Sequence, residues 1–213
     1  GPAGFTLAHH LMNDGHSVVA VDGLKIEPLG FDPRTPVRDA ATLFENLDDR
    51  ILAGFGGVAE YGITVRWDKN NLKIIRLLLE RRNAFSMFGG VRMGGSITLD
   101  SAFAMGFDHI SLCMGAGRPT YIPIPNGLAH GVRQASDFLM ALQLTGAAKS
   151  ESLANLTVRL PIAVIGGGLT AIDTATEALA YYPVQVEKFL SRYETLAAED
   201  PAAGFDFSAD EAG

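Results

Sequence analysis

Residues 162–171 read Ile162-Ala163-Val164-Ile165-Gly166-Gly167-Gly168-Leu169-Thr170-Ala171, an apolar run that stops at three glycines and passes into a helical pattern. A continuous apolar run such as 160–165 is what a strand buried on both faces of a parallel sheet looks like. After it, Gly166-x-Gly168-x-x-Ala171 has the spacing of a turn that grips a diphosphate. The first glycine makes the turn, the second lets backbone approach a pyrophosphate, and the small third residue lets helix pack on strand. The helix mouth adds free N–H groups and the positive end of its dipole. This predicts a dinucleotide site at Gly166, Gly167, Gly168, Leu169, Thr170 and Ala171. The alternative is a tight strand-to-helix turn that holds no ligand.

Working outward, the chain opens on Gly1-Pro2-Ala3-Gly4 and enters a helical pattern at once, with Phe5, Ala8, Leu11 and Met12 on one stripe. Asn13-Asp14-Gly15 is its stop signal, and residues 17–21 form a small β-branched strand ending at Asp22-Gly23. Gly1 and Gly4 fit the second and third positions of the same glycine motif, so the chain opens mid-motif, without the first glycine and its strand. Asp22 follows Gly4 at nearly the spacing, about 20 residues, at which an acidic side chain takes a ribose hydroxyl. By itself Asp22 reads better as a turn aspartate before Gly23. Together with the glycines it points to a second nucleotide site.

The remaining pattern alternates strands and helices. Residues 25–60, with Pro28, Pro33 and Pro36, read as loops and one short helix near 40–47. Leu72, Ile75 and Leu79 mark a helix that ends at Arg81-Arg82. Short β-like pieces follow at 84–88 and 96–99, and a stronger one at 110–114 runs into Gly115-Ala116-Gly117. Ala135, Phe138, Leu139 and Leu142 recur at helical spacing before Gly146. Residues 169–181 read as a helix, and 184–196 as another or as its continuation past Pro183, which should break or kink it. From Ala197 the chain is acidic and expected to be disordered.

Composition sets limits on function. The 213 residues carry a net charge of −7, which argues against nucleic acid as a partner, since tracking phosphates needs clustered Lys and Arg. Cys113 is the one cysteine, so the chain alone makes no disulfide, Cys-x-x-Cys redox pair or cysteine metal site, as expected in a reducing compartment. No apolar stretch approaches the roughly 18 residues a membrane helix needs, and a cytoplasmic location is the expectation. His9 and His10 are adjacent on a helix and point apart, and His109 and His130 lack ligand-spaced partners, so no metal site is expected. No Ser/His/Asp arrangement carries an identifiable nucleophile elbow.

Several of these motifs, taken in order, resemble one family. Gly-Pro-Ala-Gly, Gly15-His16-x-Val18 and the acidic strand end are similar to the FAD-binding start of the glutamate synthase small subunit and its relatives, within the pyridine nucleotide-disulfide oxidoreductase fold. Gly56-Gly57 with Tyr61-Gly62-Ile63 resembles the family's glycine pair and Tyr-Gly-Ile-Pro, with Thr64 in place of Pro. The strand through Cys113-Met114-Gly115-Ala116 resembles one ending in Ala-Thr-Gly. Arg118-Pro119, Ile124-Pro125, Gly131-Val132 and Asp137-Phe138-Leu139 match the crossover, and residues 164–175 match the phosphate turn of the NADPH domain. The likeness covers about residues 1–179.

The resemblance implies an α/β, Rossmann-like fold with two dinucleotide-binding domains, incomplete here. Residues 1–157 would be a partial FAD-binding domain lacking its first strand, 158–196 the start of an NAD(P)-binding domain, and 197–213 the acidic tail. FAD would lie along Gly1, Pro2, Ala3, Gly4, Asp22, Gly115 and Ala116, and NADP or NAD along 166–171. Hydride would pass from NAD(P)H to FAD, and electrons onward to an iron-sulfur centre on absent sequence or on a partner subunit, with this stretch inactive by itself. The small third residue, Ala171, leans towards NADP. The family's disulfide cysteines, its later Gly-Asp motif near the flavin and its strand beyond Ala180 have no counterpart here. Two other readings stay open: a non-catalytic dinucleotide-binding module, and an NAD(P)-only dehydrogenase.

Overall fold

The computed structural model describes residues 1–46, 54–57, 60–64, 69–115 and 118–200. Its first layer grows from the pattern noted at the N-terminus. Helix α1 (Pro2–Asn13) starts with Pro2, whose fixed φ and missing N–H suit a first turn, and strand β1 (Val18–Val21) follows. Helix α2 (Asn70–Glu80) then leads into strand β2 (Phe85–Phe88), which lies parallel to β1 with Val18 opposite Phe85 and Val21 opposite Phe88. A parallel pair needs a crossover, and α2 supplies it, so β1, α2 and β2 form a βαβ unit.

Both helices cover one face of this sheet. Phe5, Ala8 and Met12 from α1 meet Leu72 and Leu79 from α2 over Phe85, with Phe55 beside them, and Val18 and Ala20 border the cluster. Leu72 is fully excluded from solvent, which at about 25 cal/mol per Å² contributes roughly 2 to 3 kcal/mol. The opposite face is open: Val19, Val21 and Phe88 are 41%, 39% and 53% exposed.

A second cluster joins helix α4 (Ala135–Leu144) to helix α5 (Leu169–Glu199). Phe138, Leu139 and Leu142 pack with Ala147, Val158, Ala178 and Tyr181, and Tyr61, Ile63 and Leu156 lie against them. This cluster draws on residues from both sides of the domain boundary expected at 157/158. A polar row on α5 then fastens the connector. Tyr181 Oη accepts from Leu156 N (3.1 Å), and Gln185 Nε2 donates to Val158 O (2.9 Å). Lys188 Nζ donates to the carbonyls of Ala147 and Ala154, and Arg192 to that of Ser152.

Several expected elements turn out otherwise. Residues 96–99 are no strand: Thr98 and Ser101 cap each other reciprocally and start helix α3 (Leu99–Ala104), a local arrangement that outweighs β propensity. The helix near 40–47 is a 3-10 turn, Ala40–Leu43, capped by Asp39. Residues 110–114 and the decisive run 160–165 join no ladder among the described residues. They are exposed rather than buried, with Leu112 at 60%, Leu160 at 50% and Ile165 at 68%. A strand exists only with a neighbour to take its hydrogen bonds, and β1–β2 is the one ladder described.

Past the glycines, α5 runs 31 residues without a break at Pro183. The proline is exposed, so the Leu179 carbonyl that loses its i+4 donor can turn to water. The stretch expected to begin the disordered tail, from Ala197, is instead the last turn of α5, because it continues a preformed helix. Residues 201–213 lie outside the described residues.

Candidate functional site

The first glycine motif is met by residues from three other parts of the chain. Gly1 is the N-cap of α1 with no side-chain cap, and its carbonyl takes the first helical N–H, from Phe5 (3.1 Å). Gly56 and Gly57 lie directly against this mouth. A Cβ on Gly56 would stand 3.2 Å from Gly1 N and 3.4 Å from Asp22 Oδ2, and one on Gly57 would stand 3.3 Å from Pro2 Cδ. Both glycines also have positive φ, +74°, so a side chain there would be strained as well as crowded. Segment 110–115 reaches the same place, since a Cβ on Gly4 would stand 3.6 Å from Cys113 Cβ.

Asp22 closes the end of β1 with both its side chain and its backbone. Its Oδ1 accepts from Leu24 N (2.9 Å), the bond of a turn aspartate. Its Oδ2 faces Gly56 at the helix mouth. The strand end itself is fixed by Asp22 N donating to Phe88 O (3.0 Å) and Val91 N donating to Asp22 O (3.0 Å). Thus the acidic residue sits where a parallel strand gives out, beside the uncapped mouth of α1.

The loop that carries Gly56 and Gly57 is held by a carboxylate the sequence did not single out. Glu60 is fully buried and accepts from the backbone N–H groups of Gly54 (3.2 Å) and Gly56. Burial, then the nearby negative charges of Asp22 and Glu60, push the Tyr61 phenol above its ordinary range. Asp22, Glu60 and Tyr61 therefore share one electrostatic neighbourhood. The cleft between Asp22, Leu24, Gly54, Gly56 and Glu60 has a volume of about 10 Å³, room for one water. A larger groove of about 500 Å³ runs along the outer edge of β2, between Phe31, Pro33 and Phe85, and it includes neither glycine mouth.

The second motif stands apart from the sheet. Gly168 is the N-cap of α5 in extended conformation, with no side-chain cap, and its carbonyl accepts from Ala171 N (3.0 Å). Gly166 has φ +145°, and a Cβ on it would stand 3.3 Å from Ala171 Cβ, so the first and third motif positions do pack closely. Gly167 and Gly168 face open space, and Leu169 and Thr170 are exposed. The strand that should lead into this turn is unpaired, as described above. Of the remaining predicted residues, Gly115 is exposed with φ +67° and open space around it, and Ala116 lies outside the described residues.

Sequence reasoning also missed Glu177 and Lys69. Glu177, on α5, is 1% exposed, and its carboxylate accepts from Ile63 N and Thr64 Oγ1, both at 2.5 Å. Burial pushes its carboxyl above the ordinary range, against the pull of those two bonds and of Lys69. Lys69, itself 1% exposed, donates from Nζ to Gly62 O. The signal was available in part. Glu177, Tyr181 and Lys188 fall on one helical stripe, where a charge amid buried positions marks a paired group. Among the described residues no group of three or more His, Cys, Asp or Glu could hold a metal ion, and no helix is long and apolar enough to cross a membrane.

No protein-family model and no solved structure matches the chain. It is 51% identical over 211 residues to an uncharacterized protein of Rickettsia prowazekii (strain Madrid E), covering 98% of this chain and 30% of that protein. It is 30% identical over 172 residues to "Putative oxidoreductase AegA" of Escherichia coli (strain K12), covering 72% of this chain and 25% of that protein. The chain spans under a third of either relative.

Proposed function

We propose that this chain is part of a flavin-dependent oxidoreductase that takes hydride from NAD(P)H and passes electrons onward. The observation that carries the proposal is the convergence of Gly1–Gly4, Asp22 and Gly56–Gly57 at the end of a parallel strand. The oxidoreductase name of the Escherichia coli relative supports the redox part. In this proposal the helix mouth at residues 1–4 takes the FAD diphosphate and Asp22 Oδ2 takes a ribose hydroxyl, with 115–116 alongside. The mouth at 166–171 takes the NAD(P)H diphosphate, where the uncapped N–H groups and absent side chains leave room for phosphate oxygens.

The fold proposed is a doubly wound α/β sheet. The edge of β1 that has no partner among the described residues, and the open face at Val19, Val21 and Phe88, are where further parallel strands and helices would add, because parallel sheets are covered on both faces. Segments 110–114 and 160–165 would enter such sheets. The bound flavin supplies the redox chemistry, while the protein orients it and excludes water. The onward acceptor is proposed to be an iron-sulfur centre outside this chain.

The test is made on the full-length protein. As isolated it should carry flavin and oxidise NADPH or NADH with an artificial electron acceptor. Asp22→Ala should lower flavin content at least tenfold, and Gly166→Val should spare flavin while raising the Kd for NAD(P)H at least tenfold. A protein that takes up no flavin, or an Asp22→Ala variant with full occupancy, would overturn the proposal.

A further inference from the structure

We propose that Glu177 is a positioning residue that ties the loop lining the first glycine mouth to the helix that opens the second. The inference rests on the flavin and NAD(P)H reading above and adds a residue to it.

Residues 54–57 and 60–64 reach the two regions. At one end Gly56 and Gly57 lie against Gly1 and Pro2, and Glu60 gathers the amides of Gly54 and Gly56. At the other end Tyr61 and Ile63 pack on the cluster of α4 and α5. Glu177 completes this second attachment, binding Ile63 N and Thr64 Oγ1 through its two carboxylate oxygens. Lys69 closes the arrangement from a third side by holding Gly62 O. Gly62 itself has to be glycine: its φ is +86°, and a Cβ there would stand 2.7 Å from each Glu177 oxygen.

A buried carboxylate is costly unless it is bonded, so its use at this point fixes the loop more firmly than apolar contact alone. From Glu177 the rigid helix leads back nine residues to Gly168, about 13 Å at 1.5 Å per residue. Displacement of the loop therefore changes the placement of one mouth relative to the other. Hydride transfer needs its two reacting atoms within about 3.5 Å, so such displacement slows transfer while each nucleotide keeps its own contacts.

The experiment uses the full-length flavoprotein and stopped-flow flavin reduction by NAD(P)H. Glu177→Ala should retain flavin and keep the Kd for NAD(P)H within threefold, yet reduce flavin at least tenfold more slowly. Glu177→Gln keeps an acceptor for Ile63 N and should recover most of that rate, and Thr64→Val should lose a smaller share. Amide exchange at Ile63 should quicken in Glu177→Ala and much less in Glu177→Gln. If Glu177→Ala fails to fold, Glu177→Gln and Thr64→Val are compared with wild type. In Glu177→Ala, or in Thr64→Val where Glu177→Ala does not fold, a reduction rate equal to that of wild type, a loss confined to Kd, or unchanged exchange at Ile63 would overturn the inference. A wild-type protein without flavin would overturn the underlying functional reading instead, and the role in hydride transfer with it.

Discussion

Replacing Gly62 by alanine should be among the most damaging one-methyl changes in the molecule, and its cost can be built up from two sources. The backbone at Gly62 has φ +86°, where a residue with a Cβ costs about 1 to 2 kcal/mol. The new methyl would also stand 2.7 Å from both oxygens of Glu177, well inside van der Waals contact. Relief requires the carboxylate to withdraw and give up at least one of its bonds to Ile63 N and Thr64 Oγ1. A hydrogen bond to a charged group contributes about 1.5 to 3 kcal/mol, so with the backbone cost the total is about 2.5 to 5 kcal/mol, a large share of a typical domain's stability.

The assay is urea denaturation of the 213-residue chain followed by circular dichroism, repeated in a Glu177→Ala background. There the methyl has room, and Gly62→Ala should cost only the backbone part, about 1 to 2 kcal/mol. The difference, about 1.5 to 3 kcal/mol, is the coupling between the two positions. A cost under about 1 kcal/mol, or the same cost in both backgrounds, would refute the account of Glu177 as the group that fixes this loop.

Other outcomes follow from the same contacts. Leu72→Ala, at a fully buried position between α1 and α2, should destabilise the chain by about 2 to 5 kcal/mol in the same denaturation assay. Lys188→Ala leaves the carbonyls of Ala147 and Ala154 without their donor and should cost about 1 to 3 kcal/mol, with faster limited proteolysis within 147–154 as a second readout. Burial holds the Glu177 carboxyl above its ordinary value of 4.5, so the folded state binds its proton more tightly than the unfolded one. The stability it contributes is fully present below pH 4.5 and is lost as the pH rises through the raised value. Denaturation midpoints of wild type should therefore fall relative to those of Glu177→Gln on going upward from pH 4.5, and parallel profiles would contradict this.

The local parts of this structure were legible in the amino-acid order. Pro2 and Asn13-Asp14-Gly15 marked both ends of α1, the stripe of Leu72, Ile75 and Leu79 marked α2, and the β-branched run marked β1. Helix hydrogen bonds join residues four apart, so a dozen residues carry nearly all the information about such an element. The two glycine turns were legible for the same reason, down to the close packing of Gly166 on Ala171. Helix α3 is equally local, because the reciprocal Thr98–Ser101 cap outweighs the β propensity of residues 96–99.

Tertiary structure decided what depends on partners distant along the chain. The apolar runs 110–114 and 160–165 have strand composition, but a ladder needs a second strand, and among the described residues they have none. Glu60, Glu177 and Lys188 carry charges that composition assigns to the surface, and each is buried because backbone groups far away in sequence or on a folded loop satisfy it. Asp22 shows both levels in one side chain: the order of residues set the oxygen that closes a turn with Leu24, and folding alone brought the other to face Gly56 and the mouth of α1.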